Sequence, residues 1–230
     1  MATPPKTIDE VFAFNLFINL DSRTDRLEHV RNELAKLGII ANSHRIRATK
    51  TINGALGCTM SHIRCIKEAI TADAPCVFIC EDDITFIDPP LLLQNLAAFL
   101  VCDLAWDVII IGGNLVASFS DDNRIVLGAA KTGPFCRVAN CQTTTGYIVA
   151  RHYYETLIAN FRESAAALAR GVLRSEAAID MSWKSLQPSG AWYMILPATV
   201  TQYENYSDIE ERVVQYHGLM LDTEKHWLRR

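Results

Sequence analysis

Three consecutive carboxylates, Glu81-Asp82-Asp83, follow directly on the apolar run Cys76-Val77-Phe78-Ile79-Cys80. Adjacent acids repel one another, and a hard divalent cation relieves that repulsion. Mg²⁺ and Mn²⁺ take oxygen ligands and are commonly held by one or two carboxylates together with substrate phosphates. In an open α/β sheet ligands bind outside the carboxyl ends of the strands, which is where this triplet falls. The residues alone leave two readings open: a site for a metal and a diphosphate, or a solvated turn of the kind that polar residues form after strands. Residues 53–62 (Asn-Gly-Ala-Leu-Gly-Cys-Thr-Met-Ser-His) bring two glycines ahead of an apolar-periodic segment. Such a loop lets backbone approach a ligand and aims helix N–H groups at an anion. Ser61 and His62 then read either as donors to ligand oxygens or as a helix-satisfying hydroxyl and a packed imidazole. Arg23, Asp25 and Arg26 read either as a nucleotide clamp or as exposed helical pairs worth a few tenths of a kcal/mol.

The elements around these residues are legible from periodicity. Residues 12–20 are aromatic and aliphatic and break at Asp21-Ser22, a pair suited to a helix N-cap. Leu27, Val30, Leu34 and Leu37 then recur at helical spacing and Gly38 closes the segment. A short second strand is expected within 39–50, a loop over 51–57, a helix over 60–72, a buried strand over 76–80, a helix over 91–101 and a strand over 106–111. Residues 114–141 are less periodic and read as loop plus a hairpin; 143–150 is a strand, 153–173 a helix and 193–199 a last strand. Continuous apolar strands alternating with helices predict an α/β fold with a mainly parallel, Rossmann-like central sheet covered on both faces.

Composition narrows the function classes. The chain has 230 residues, half of them hydrophobic, enough for one domain spanning 1–230, with a core over about 12–209 and a tail or lid over 210–230. A formal charge of −4 from interspersed residues supplies no basic face for a polyphosphate backbone, so no nucleic-acid partner is expected. No window reaches the length and apolarity of a bilayer span, and Pro4, Pro5, Asp9 and Glu10 interrupt the start where a signal peptide needs an apolar stretch. A soluble, cytoplasmic protein is therefore expected. Seven cysteines, an odd number without a CxxC, read as mostly buried free thiols, with Cys136 and Cys141 the pair that could bridge under oxidising conditions.

Several blocks occur in a fixed order: Ile18-Asn19-Leu20 with Arg23, Asp25 and Arg26; Gly54-x-x-Gly57-Cys58-x-x-Ser61-His62; Glu81-Asp82-Asp83; Thr145-Gly146-Tyr147-Ile148; Ile179-Asp180; and Gln202 followed by Ser207-Asp208-Ile209. In this order they resemble glycosyltransferase family 25, which includes bacterial lipooligosaccharide galactosyltransferases and collagen galactosyltransferases. The resemblance implies a GT-A fold, a UDP-sugar donor carrying galactose or glucose, a saccharide or glycan acceptor, and Mn²⁺ (or Mg²⁺). It implies Asp83 as the direct metal ligand with Glu81 toward the ribose or a water-bridged metal contact, and Asp82 as the least committed acid. Asn19, Leu20, Arg23, Arg26, Gly57, Ser61 and His62 fall on the donor side, and Gly146 and Tyr147 on the acceptor side. For a transfer that inverts the anomeric carbon, a carboxylate must take the acceptor proton. Asp180 is the candidate, with Glu176 one helical turn earlier on the same face as the alternative. Trp183, three residues on, is the aromatic assigned to the acceptor sugar, although large aromatics more often fill cores.

Overall fold

The computed structural model describes residues 5–130, 133–207, 209 and 212–225. A short helix α1 (Ile8–Val11), closed at its start by a Thr7/Glu10 capping box, leads into β1 (Asn15–Asn19), whose five residues are all buried. Helix α2 (Thr24–Lys36) turns Val30 and Leu34 inward, and Gly38 ends it with φ of 73°, the left-handed conformation that suits glycine. Its N-cap is Arg23, without a side-chain cap bond, instead of the Asp21-Ser22 pair expected from sequence.

The chain continues through β2 (Ser43–Arg47), α3 (Gly54–Thr71), β3 (Cys76–Glu81), β4 (Ile84–Phe86) and α4 (Pro89–Leu100). Asp88 caps α4 through the Leu91 amide, and prolines fill its first positions, where a missing N–H costs nothing. Then come β5 (Val108–Phe119), β6 (Ile125–Leu127), β7 (Phe135–Ala150), α5 (Tyr154–Ala169), α6 (Arg174–Ala177), α7 (Ile179–Ser182), β8 (Trp192–Ile195), β9 (Val200–Gln202), β10 (Asn205–Ser207), β11 (Arg212–Val214) and α8 (His217–Leu221). The central sheet runs β2-β1-β3-β7-β8-β5-β6. Strands β1, β2, β3, β5 and β8 share one direction, while β7 and β6 oppose it.

Both faces of the sheet are dry at its centre, whereas the edge strands β2 and β6 are largely exposed. Along β3, Val77 and Ile79 face a layer containing Cys65 and Ile66 of α3 with Leu157 and Phe161 of α5. Cys76, Phe78 and Cys80 face the opposite layer, with Val30 and Leu34 of α2 and Leu92, Leu96 and Phe99 of α4. Apolar residues at every strand position are what a sheet covered twice requires. Among the described residues, no helix is long and apolar enough to cross a membrane.

The segment 114–141 differs from the loop expected there. It belongs to two long antiparallel strands, β5 and β7, whose register shifts repeatedly between Ile110 and Ser118. A side chain at Gly113 would stand 2.7 Å from the Cys141 sulfur, so a residue that looks like a turn former marks a close crossing. Cys136 and Cys141 are both free and buried within β7. Five extended residues span about 17 Å, so the two thiols are too far apart to bridge. Of the expected tail, β11 and α8 are ordered elements; residues 226–230, like Asp208, lie outside the described residues.

Candidate active site

The carboxyl ends of β1 and β3 lie side by side because the two strands pair in parallel, with Ile18 opposite Glu81. Asn19 ends β1 and is 1% exposed. Its amide nitrogen donates to the Arg23 carbonyl (3.0 Å) and to Asp82 Oδ2 (2.7 Å), while its oxygen accepts from Arg45 Nε at 2.9 Å. Arg26, in the first turn of α2, donates through Nη1 to Asp82 Oδ1 (3.0 Å) and to Asp83 Oδ2 (3.1 Å). Both oxygens of Asp82 are thereby occupied by the protein. One oxygen of Asp83 is not: Oδ1 is buried and has no hydrogen-bond partner among the described residues.

This arrangement makes Asp83 an uncomfortable anion. Burial pushes its carboxyl up, the charges of Glu81 and Asp82 add to that, and Arg26 only partly opposes them, leaving it at about 8. Asp82 is also raised, chiefly by burial. Glu81 moves the other way. Burial raises it, but the His62 imidazole and the Thr144 hydroxyl, which donates to Oε1 at 2.5 Å, bring it below the ordinary carboxylate value. His62 Nε2 stands 3.5 Å from Glu81 Oε1, a close electrostatic contact without hydrogen-bond alignment.

Helix α3 brings up the second wall. Asn53 caps it through the Leu56 amide, so Gly54 and Gly57 form its first turns instead of the loop expected over 51–57. Gly57 is required by packing: a Cβ there would lie 2.3 Å from the Thr49 carbonyl oxygen. Ser61 secures the same crossing, donating to the Gly57 carbonyl (2.7 Å) and accepting from the Thr49 amide (2.8 Å). Gly57→Ala should therefore lower stability by about 1–3 kcal/mol through overpacking, despite the gain in helix propensity. A chemical-denaturation midpoint that rises instead would show that the crossing is not tight.

A cavity of about 500 Å³ opens between these walls, within the range of small-molecule sites. It is lined by Asn19, Leu20, Arg23, Arg26, Ser61, His62, Glu81, Asp82, Asp83 and Asp180 of the residues expected from sequence. Asp180, at the start of α7, accepts from the Thr143 amide at 3.1 Å, and its carboxyl is raised, first by burial and then by the charge of Glu81. Glu176 is exposed on α6 and does not line the cavity, nor does Gly57. Gly146, Tyr147 and Trp183 stand behind the wall. Trp183 is fully buried, donates to the Cys141 carbonyl at 2.9 Å and packs edge-on against Tyr147, so no ring face is left for a sugar. Tyr147 is also fully buried and meets His62 Nδ1 at 2.8 Å. Thr144, Cys58 and Asn114 line the cavity without having been singled out as site residues; Thr144, itself buried, directly precedes the quoted Thr145-Gly146-Tyr147 block.

Hairpin β10-β11 closes one side. Arg23 Nη1 and Arg26 Nη2 both donate to the Tyr206 carbonyl, at 3.0 and 3.1 Å, which ties the hairpin to the acid cluster.

Residues 40–172, more than half of the chain, match the family described as glycosyltransferase family 25 (LPS biosynthesis protein). The chain belongs to glycosyltransferase family 25. It is a transferase with a GT-A-like fold. A glycosyltransferase involved in glycosylation of the major capsid of PBCV-1 superposes with a TM-score of 0.50 at 9% identity, over 86% of this chain and 95% of that one. A197 from STIV gives 0.47 at 12% identity, over 88% and 94% of the two chains. A Drosophila β-1,4-galactosyltransferase 7 in complex with manganese, UDP-Gal and xylobiose gives 0.44 at 9% identity, over 93% and 80%. No curated protein sequence matches the chain. The family match covers α3, the acid triplet and the Thr145-Gly146-Tyr147 block, whereas Asn19, Arg23, Arg26 and Asp180 of the cavity wall lie outside the matched residues.

Proposed function

We propose that this family 25 enzyme transfers a hexose, galactose or glucose, from a UDP-sugar to a saccharide or glycan acceptor with inversion at the anomeric carbon. The observation that carries the reading is the buried Asp83 Oδ1, which lacks a hydrogen-bond partner in a carboxylate-lined cavity held open by Arg26 and Asn19. One guanidinium is bonded within a cluster of three carboxylates, so the donor set suits a hard divalent ion. Asp83 would hold Mn²⁺ or Mg²⁺ directly, with Glu81 beside it, and Asp82 is the girder that fixes both strand ends. The ion would supply charge neutralisation for the departing diphosphate. Asn19, Leu20, Arg23 and Arg26 line the end of the cavity assigned to the nucleotide. Thr144 orients Glu81 through its hydroxyl, and His62, bonded to Tyr147, stands behind it. Asp180 takes the proton of the acceptor hydroxyl as its oxygen bonds to the anomeric carbon and the bond from that carbon to the diphosphate breaks. The free thiols fit a reducing, cytoplasmic compartment.

A UDP-release assay across UDP-sugars, with Mn²⁺, with Mg²⁺ and with EDTA, tests the reading. Release from UDP-galactose or UDP-glucose is expected with metal and falls to background in EDTA. Release that persists in EDTA overturns the metal-dependent mechanism. Tight UDP binding with no release from any acceptor mixture marks a non-catalytic nucleotide-sugar binding protein instead.

A further inference from the structure

The donor reading gives no role to one nitrogen of His62. His62 is 0% exposed and its Nε2 has no hydrogen-bond partner among the described residues, although a packed core histidine normally satisfies both nitrogens. Its Nδ1 is already committed to the Tyr147 hydroxyl. That is the arrangement of a metal-binding imidazole, in which one nitrogen is oriented by an outer partner so that the other presents its lone pair.

Two further ligands stand close to that nitrogen. Cys58 lies four residues before His62 on α3, which puts both side chains on one helix face. Glu81 comes from the end of β3, with Thr144 holding its Oε1. The ligand atoms of Cys58, His62 and Glu81 all lie within 4.8 Å of one another. A tetrahedral zinc ion with nitrogen and oxygen at about 2.0–2.1 Å and sulfur at about 2.3 Å requires edges of roughly 3.4 Å between nitrogen and oxygen and roughly 3.6 Å between nitrogen and sulfur. The His62 to Glu81 edge, at 3.5 Å, already has that length. The thiol completes the set by moving inward by roughly 1 Å at most. Cys58, His62 and Glu81 all line the cavity, so an ion enters from there and keeps a fourth position facing it.

We propose that Cys58, His62 and Glu81 form a second cation site, one that takes a soft divalent ion such as Zn²⁺ and is chemically distinct from the all-oxygen position at Asp83. Thiolate and imidazole donors select Zn²⁺ and Co²⁺ over Mg²⁺ and Mn²⁺, while carboxylates alone discriminate far less and take the hard ions that are available. Glu81 belongs to both sites. Zn²⁺ bound on the helix side therefore withdraws it from the donor, a consequence that rests on the donor reading above.

The test is a titration of the metal-free full chain with Co²⁺ under reducing conditions. Thiolate-to-cobalt charge transfer in the near ultraviolet, with the strong visible bands of a four-coordinate ion, should appear at one equivalent and be bleached by Zn²⁺. Cys58→Ser should lose the charge-transfer band and Asp83→Asn should keep it. Should Cys58→Ser fail to fold, Glu81→Gln is the second variant: it keeps the band but binds Co²⁺ roughly tenfold or more weakly. Folded wild-type protein without the band, or a band that survives in Cys58→Ser, overturns the site. Calorimetry of UDP with Mn²⁺ tests the shared residue: affinity should fall roughly tenfold or more when Zn²⁺ is bound, and this zinc effect should vanish in Cys58→Ser. Equal UDP affinity with and without Zn²⁺ overturns the competition. Absence of UDP binding in every state overturns the donor reading and leaves the cobalt result standing.

Discussion

Asp83→Asn lowers metal-dependent kcat/KM by about 10³-fold or more, the equivalent of several kcal/mol of transition-state stabilisation supplied by a bound ion. The substitution keeps the shape of the side chain and an acceptor for Arg26 Nη1, so the strand ends stay in place. What it removes is the anionic oxygen that lacks a protein partner. The same change separates function from stability. In the unfolded chain Asp83 ionises near 3.8, and in the folded, metal-free protein its carboxyl holds its proton up to about 8. Between those values the folded state binds more protons than the unfolded state, so the contribution of this group to stability falls as pH rises. In EDTA, wild-type melting temperature should therefore decline relative to Asp83→Asn from about pH 5 to about pH 8, the two lines separating steadily. Parallel lines, or a variant that retains near-normal turnover, would remove Asp83 from the metal position. A residue that destabilises the empty protein while serving the loaded one is the pattern expected of a functional carboxylate.

How far the sequence revealed this site depends on the range of the contacts. The βα units around β1 and β3 are local patterns, and the apolar run into Glu81-Asp82-Asp83 placed the acids at a strand end correctly. The bond between Asn19 and Asp82 spans 63 residues and that between His62 and Tyr147 spans 85, so no periodicity could show them. Residues 51–57 looked like a loop because two glycines and an asparagine punctuate them. Asn53 is in fact a helix cap, and Gly57 is small because Thr49 crosses it. Similarly, β5 and β7 hide behind Gly112, Gly113, Asn114 and Ser118, residues that disfavour regular strands and here accompany shifts of register. Trp183 and Glu176 illustrate the limit of one-dimensional proximity to Asp180. Neighbours in sequence, they sit in the core and on the surface respectively, and of the three only the aspartate lines the cavity.

Asp180→Asn should lower kcat by about 10² to 10⁴-fold, the range of a positioned general base, while UDP affinity in the presence of Mn²⁺ stays close to wild type. The asparagine oxygen still accepts from the Thr143 amide, so the start of α7 is preserved and a loss of rate is not a loss of structure. The pH profile gives the discriminating readout. Burial and the charge of Glu81 raise the Asp180 carboxyl above the ordinary carboxylate range. A base must be ionised to act, so wild-type kcat/KM should fall on the acid side with a midpoint above that range, and the residual activity of Asp180→Asn should lack this limb. An acid limb that persists in the variant assigns the proton transfer to another group. Near-normal turnover with unchanged acceptor KM would leave Asp180 as the residue that anchors β7 to α7 through Thr143 and nothing more. The reason to expect the catalytic outcome is geometric: α7 contributes this carboxylate to the cavity wall, and its oxygens have a single hydrogen bond from the Thr143 amide among the described residues, leaving lone pairs for an acceptor hydroxyl.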